Sequence, residues 1–270
     1  MNNEIRKSFE HLAAQPDADI PLDEAALLIA SEAEQGLSVE HYLRQLDKLA
    51  MRFKSDDRFQ NTSDIPVAAL SNYIHTDLAF TGNVTDYYDP ANSYLNRVMD
   101  HKRGIPITLA LVHIAISTRL DIPVSGISFP GHFLVQYGGS DGTIVDPFSG
   151  RELSRTDCQN MLIQISGPRA ILKDEYFRPA SAREILIRVL DNLKQIFWRL
   201  KSWDQSKACL DRQLLLFPKR DEFNLQLGAI YEMQGNPALA EHVYTQIIQR
   251  DSEDPLKQLA SKRLLALHGK

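Results

Sequence analysis

Two residues near the middle of the chain have the types and spacing for proton-transfer chemistry. His132 stands in FPGHFLVQY and Asp146 in TIVDPFSG. An imidazole beside a carboxylate can take up and release a proton while the carboxylate fixes its tautomer, the pairing that serves Ser and Cys nucleophiles. Whether the two meet depends on strand register. Residues 124–129, 132–137 and 143–146 read as three strands, separated by Pro130-Gly131 and by the turn Gly138-Gly139-Ser140-Asp141-Gly142. A hairpin centred near Ser140 sets Leu134 opposite Asp146 and makes His132 and Asp146 diagonal neighbours on one face, with backbones about 7 to 8 Å apart. A slip of one residue sends them to opposite faces. Taken singly, His132 also suits a hydrogen-bonded core histidine and Asp146-Pro147 a turn after a strand, so both readings stay open.

A base and its orienting acid still need something to attack with. Thr108 carries a hydroxyl in the first turn of a helix that starts at Pro106; an adjacent base can activate such a group, and the same hydroxyl can instead bond within its own turn. Cys158 in SRTDCQNML falls near the start of an expected helix, where a thiolate is favoured, or is a semi-buried structural thiol. A metal held by His132, Asp146 and one of His101 or His113 is the third option. His113 lies about 10 Å along the helix from Pro106, a better position for a core histidine than for a ligand. Cys158 and Cys209 have no CxxC or Cys/His spacing, so neither a disulfide framework nor structural zinc is indicated. No metal and no cofactor is expected.

The elements that must position these groups follow from periodicity and punctuation. Residues 1–20 are polar and read as a frayed helix or arm. A helix through AALLIASEAEQG stops at Gly36, and Ser38 opens another whose Tyr42, Leu43, Leu46, Leu49, Ala50 and Phe53 form one apolar stripe. Asp64-Ile65-Pro66 begins a third helix, running to about Leu78. The stretch 81–89 is a turn-rich loop, and a helix covers 92–101. Ile105 is held extended by the following proline, and Pro106 suits the first position of a helix ending near Leu120. An isoleucine cannot accept from the free amides of that first turn, so water or an anionic partner must satisfy them. Residues 152–161 read as a further helix.

From Ala182 onward the chain is helical and repeats. Leu193 and Leu227, Phe197 and Tyr231, Ser206 and Ala240, and Leu210 and Tyr244 each recur at a spacing of 34, the period of tetratricopeptide helix pairs. Two repeats and a last helix over 255–267 are too short for a free-standing solenoid and are expected to dock on the preceding domain. The domain reading is 1–165, a linker over 166–181, and helical repeats over 182–270.

Composition bounds the function classes. The chain has 270 residues, 43% hydrophobic and 24% charged, ordinary for a globular protein. A net charge of -5 disfavours general nucleic-acid binding, which needs a basic face. No apolar run is long enough for a membrane span or a secretory signal, so the expectation is a cytoplasmic chain.

The strings NSYLNRVMDHKRGIPITLALVHIAISTRL, FPGHFLVQY and VDPFSG resemble the SirB-like family, strongly over residues 92–150 and in outline elsewhere. The resemblance implies an α+β, papain/transglutaminase-like core with N-terminal helices and a small antiparallel sheet, followed by all-α tetratricopeptide-like helices. In that superfamily Cys, His and Asp come in order, the Cys in a Gly-x-Cys opening of the central helix. His132 and Asp146 match the second and third members, while Gly104-Ile105-Pro106 falls on the Gly-x-Cys. Pro106, or Ile107 after a slip of one, thus stands where the thiol belongs, and neither attacks a carbonyl. The resemblance implies a cleft lined by Asn92, Tyr94, Gly104, Pro106, Ile107 and Gly131. Two functions survive: a nucleophile-less module that binds a protein or peptide, and an unorthodox hydrolase or acyltransferase in which His132 is the base and water or Thr108 attacks.

Overall fold

A computed structural model of the chain describes residues 3–56, 67–139, 141–250 and 255–269. The expected cap at Asp64 and Pro66 and the hairpin centre at Ser140 lie outside the described residues. The chain divides into two compact units, Met1–Val189 and Leu190–Lys270, with the division inside one long helix.

The first unit is built around a helix that is apolar on every side. α6 (Pro106–Arg119) buries Pro106 to His113 without a break, then Ala115, Ile116 and Ser117. A helix hydrophobic all round belongs at the centre of a core. Around it lie α2 (Leu22–Ala33), α3 (Val39–Lys54) and α5 (Leu95–His101). α3 follows its sequence stripe, with Leu46, Ala50 and Phe53 buried and Ser38 accepting from the His41 N–H as its cap. The last turn of α6 is tied to both neighbours by Arg119, whose Nη1 meets Asp23 at 2.7 Å and whose Nε meets Asp47 at 2.6 Å. The polar N-terminal stretch is more than an arm: α1 (Asn3–Ala13) buries Phe9, Leu12 and Ala13.

On another side α6 carries an antiparallel sheet in the order β3 (Val124–Ile127), β4 (Leu134–Tyr137), β5 (Thr143–Asp146), β6 (Arg151–Leu153). β4 and β5 pair Val135 with Val145 and Tyr137 with Thr143, a register that extends to Leu134 opposite Asp146. Three expectations change. His132 sits in the bend before β4, because the turn at Gly131, with φ +69, delays the strand. The loop over 81–89 begins with a strand, β1 (Thr81–Gly82), which pairs in parallel with β2 (Arg103–Gly104). The helix expected over 152–161 is a fourth strand followed by α7 (Arg155–Ser166), since Ser154 and Asp157 form a reciprocal cap that starts the helix later.

Before β1, α4 (Val67–Asn72) continues into a π-helical turn over Tyr73–Asp77. Residues 166–181 lie on this unit: Tyr176 and Phe177 pack against Phe129, and the Ala180 N–H reaches the Gly126 carbonyl at 2.8 Å beside an isolated bridge between Ile127 and Pro179. α8 (Ala182–Arg199) starts from a remote cap, with both oxygens of Asp17 accepting from the Ala182 and Arg183 amides.

The second unit continues through α9 (Trp203–Leu216), α10 (Asp221–Met233), α11 (Pro237–Gln249) and α12 (Pro255–His268). Ser206 and Ala240 are fully buried, and the Tyr244 ring lies on Gly228, where a methyl group would stand 2.3 Å from Cε1. Lys194 is buried but satisfied, donating to Asp191 at 2.7 Å and to Gln213 at 2.8 Å. Among the described residues no helix is long and apolar enough to cross a membrane.

Candidate functional site

His132 Nε2 donates to Asp146 Oδ1 at 2.8 Å, with the two side chains 18% and 11% exposed. Nδ1, the other ring nitrogen, has no hydrogen-bond partner among the described residues. The carboxylate is held from every side. Its Oδ1 also accepts the Phe148 N–H at 2.9 Å, its Oδ2 accepts the Ser149 hydroxyl at 2.7 Å, and the Asp146 carbonyl accepts the Gly150 N–H at 2.8 Å. Burial pushes the Asp146 carboxyl up, but the bonds from His132 and Ser149, the His132 charge and the Phe148 amide outweigh it, leaving the group below its ordinary value. This is a carboxylate built to stay ionised and to fix one histidine tautomer.

The turn that carries Asp146 is clamped by groups with no signal in the local sequence. Gly82 N–H donates to the Phe148 carbonyl, and the Phe148 ring lies so close to Gly82 that a Cβ there would stand 2.5 Å from it. Tyr87 covers the same ring at 6.1 Å between centroids, and Ser71 Oγ reaches the Gly150 carbonyl at 3.3 Å. Ser149 is the one member that sequence reading could have found, since a Ser three residues after an Asp in a turn often bonds back to it.

Every side chain considered for the attacking position is buried. Pro106 and Ile107 are buried hydrocarbon. Thr108 is fully buried; its hydroxyl accepts the Ile105 N–H at 3.2 Å and lies 2.6 Å from the Asn92 carbonyl, the shorter of its two acceptor contacts. Its single proton is therefore committed to Asn92, and the group serves as a helix cap, the local bonding that the sequence reading set beside its candidacy as a nucleophile. Cys158 fits the structural reading of the two weighed for it. It is buried among Ile127, Phe129, Leu134 and Leu162, and burial pushes its thiol up to about 11, opposite to activation. Burial pushes Cys209 up to about 12.

The residues expected to line a cleft differ in burial. Asn92, Gly104, Pro106 and Ile107 are buried, while Tyr94 is half-buried and Gly131 is exposed. Asn92 is a loop organiser: its Nδ2 donates to Asp86 O and its Oδ1 accepts from Asn83. An open concavity over β4 to β6, lined by Gln136, Thr143, Glu152, Arg155 and Phe177, includes neither His132 nor Asp146.

The metal option fares no better. His101 is exposed at the end of α5, and His113 is fully buried in a different hydrogen-bond chain. Among the described residues no group of three or more His, Cys, Asp or Glu side chains could hold a metal ion.

Comparison with known proteins agrees with this architecture. Residues 40–191 match the family model described as the transglutaminase-like superfamily. A UPF0162 protein of Xylella fastidiosa (strain 9a5c) is 34% identical over 248 residues, covering 89% of this chain and 88% of that protein. A UPF0162 protein of Pseudomonas aeruginosa is 36% identical over 187 residues, 68% of this chain and 67% of its own. The human F-box only protein 21 is 26% identical over 177 residues, 60% of this chain but 27% of that protein. No solved structure matches. The chain belongs to the transglutaminase-like superfamily and, within it, to the UPF0162 family.

Proposed function

We propose that this protein is a nucleophile-less transglutaminase-like module that binds a protein or peptide beside the His132–Asp146 pair. One observation carries the reading: base and orienting acid are assembled at 2.8 Å, while the start of α6, where a thiol would belong, presents only Pro106, Ile107 and a spent Thr108 hydroxyl. Fold does not guarantee chemistry when the attacking atom is missing. The F-box protein supports a transferable module, since the shared stretch is 27% of its length. The helices of the second unit, read as tetratricopeptide-type hairpins of a SirB-like protein, supply a second contact surface. Ser206 and Ala240, both fully buried, support that reading.

A second reading keeps some chemistry: water attacks with His132 as base, because Nδ1 is left without a partner among the described residues. Two assays on the full chain separate them. Hydrolysis of simple esters or amides that vanishes in His132→Ala and survives alkylation of both cysteines establishes the hydrolase. Absence of turnover, with peptide binding measured by titration calorimetry unchanged in His132→Ala, establishes the module.

A further inference from the structure

His75 and His113 take no part in the site described above, yet they are linked in a polar chain within the first unit. His75 Nδ1 lies 2.8 Å from the Phe80 carbonyl, His75 Nε2 lies 3.0 Å from His113 Nε2, and His113 Nδ1 lies 2.5 Å from the Tyr137 hydroxyl. The directions of these bonds are fixed by elimination. A carbonyl only accepts, so His75 carries its proton on Nδ1 and leaves Nε2 bare. Two bare nitrogens do not sit 3.0 Å apart, so His113 is protonated on Nε2. Its Nδ1 is then an acceptor, and Tyr137 donates to it.

The chain ends beside a hydroxyl with nothing to do. Ser117, one turn beyond His113 on α6, has a buried Oγ that makes no hydrogen bond among the described residues, and it lies near enough to the Tyr137 phenol to lower its value while burial raises it. At the other end His75 is half-buried at the π-helical turn and packs on Gly150, where a Cβ would stand 2.6 Å from its Cγ. The charged group that acts on both rings is Asp146.

We infer that His75, His113, Tyr137 and Ser117 form a one-proton tautomer switch built behind the turn that carries Asp146. Uptake of one proton from solvent gives a His75 cation with N–H on both nitrogens. His75 Nε2–H then donates to His113 Nε2, so the His113 proton must reside on Nδ1 and donate to the Tyr137 oxygen. Tyr137 O–H in turn rotates to Ser117 Oγ. With the Ser117 hydroxyl included, the chain holds four transferable protons before and five after; nothing else is gained or lost. Every bond in the chain reverses except the one to Phe80, and the new positive charge lies on the ring packed against Gly150. Burial lowers the His75 value, so the switch operates on the acid side of the ordinary histidine range.

The test is ¹⁵N imidazole NMR of the full chain, following both rings from pH 8 downward. At pH 8, His75 is expected as the Nδ1–H tautomer and His113 as the Nε2–H tautomer. As His75 takes its proton, the His113 proton moves to Nδ1 in the same step. Ser117→Ala, which removes no bond from the neutral chain but takes away the acceptor of the acid chain, is expected to lower the His75 midpoint by about one pH unit, a tenfold loss of proton affinity. The switch is refuted by a His113 that carries Nδ1–H at pH 8, by one that keeps Nε2–H while His75 titrates, or by a His75 midpoint unmoved in Ser117→Ala.

Discussion

At the scale of single residues, one hydroxyl and one carboxylate decide how the site is read. Thr108 looks like a surviving nucleophile in the sequence because it follows Pro106 in the first turn of a helix. What the sequence could not display is that Asn92, sixteen positions earlier, brings its carbonyl to 2.6 Å and takes the hydroxyl proton. Thr108→Val is therefore expected to cost about 2 kcal/mol, because two buried backbone groups lose their partner. Urea unfolding measures that loss, and binding at saturating ligand should stay as in the parent. A loss of function without a loss of stability would restore Thr108 to the chemistry. Asp146 differs in kind. It accepts from His132, Ser149 and the Phe148 amide, so Asp146→Ala strands three donors and should destabilise by about 3 kcal/mol. Asp146→Asn should cost less and leave His132 free to change tautomer, a difference visible in its ring nitrogen shifts.

Elements explain why some of this architecture was legible and some was not. α6 announces itself by an X-Pro start and an unbroken apolar run, and β4 and β5 by alternation around a glycine-rich turn; local pattern suffices for both. β1 and β2 are two residues each and have no period to read. Their existence is set by where Phe148 and α6 happen to lie, a tertiary fact. His75 and His113, thirty-eight positions apart, carry no mutual signal either, and a histidine in an apolar helix reads only as core. Gly82 tests the element directly. A methyl group there meets the Phe148 ring at 2.5 Å, so Gly82→Ala should cost about 2 kcal/mol and displace the turn that carries Asp146. A thermal melt together with the His132 ring shifts reads both effects. Unchanged values would mean that Phe148 moves aside freely.

For the whole molecule, buried imidazoles tie stability to acidity. Burial holds His113 near 3, well below its reference of 6.5. Between those limits the unfolded chain binds a proton there that the folded chain refuses, so stability falls as the pH falls through that window. The slope from one such group is at most about 1.4 kcal/mol per pH unit. Asp146, whose folded value is depressed, adds a further loss once the pH passes below its reference of 3.8. Urea midpoints at pH 8, 6 and 4.5 should decline toward acid, and His113→Gln should flatten the decline while lowering its starting point. A parent whose midpoints hold steady from pH 6.5 to 4.5 would contradict this account. One of the two-residue strands carries a broader consequence. β1 gives its Gly82 amide to the turn after Asp146 and the next amide, from Asn83, to Gly104 at the threshold of α6. The turn after Asp146 and the helix entrance are thereby riveted to adjacent peptide groups, and neither can be displaced without the other. In deuterated solvent those two amides should exchange only when the entire first unit opens, so a ligand entering beside His132 meets a mould rather than a hinge.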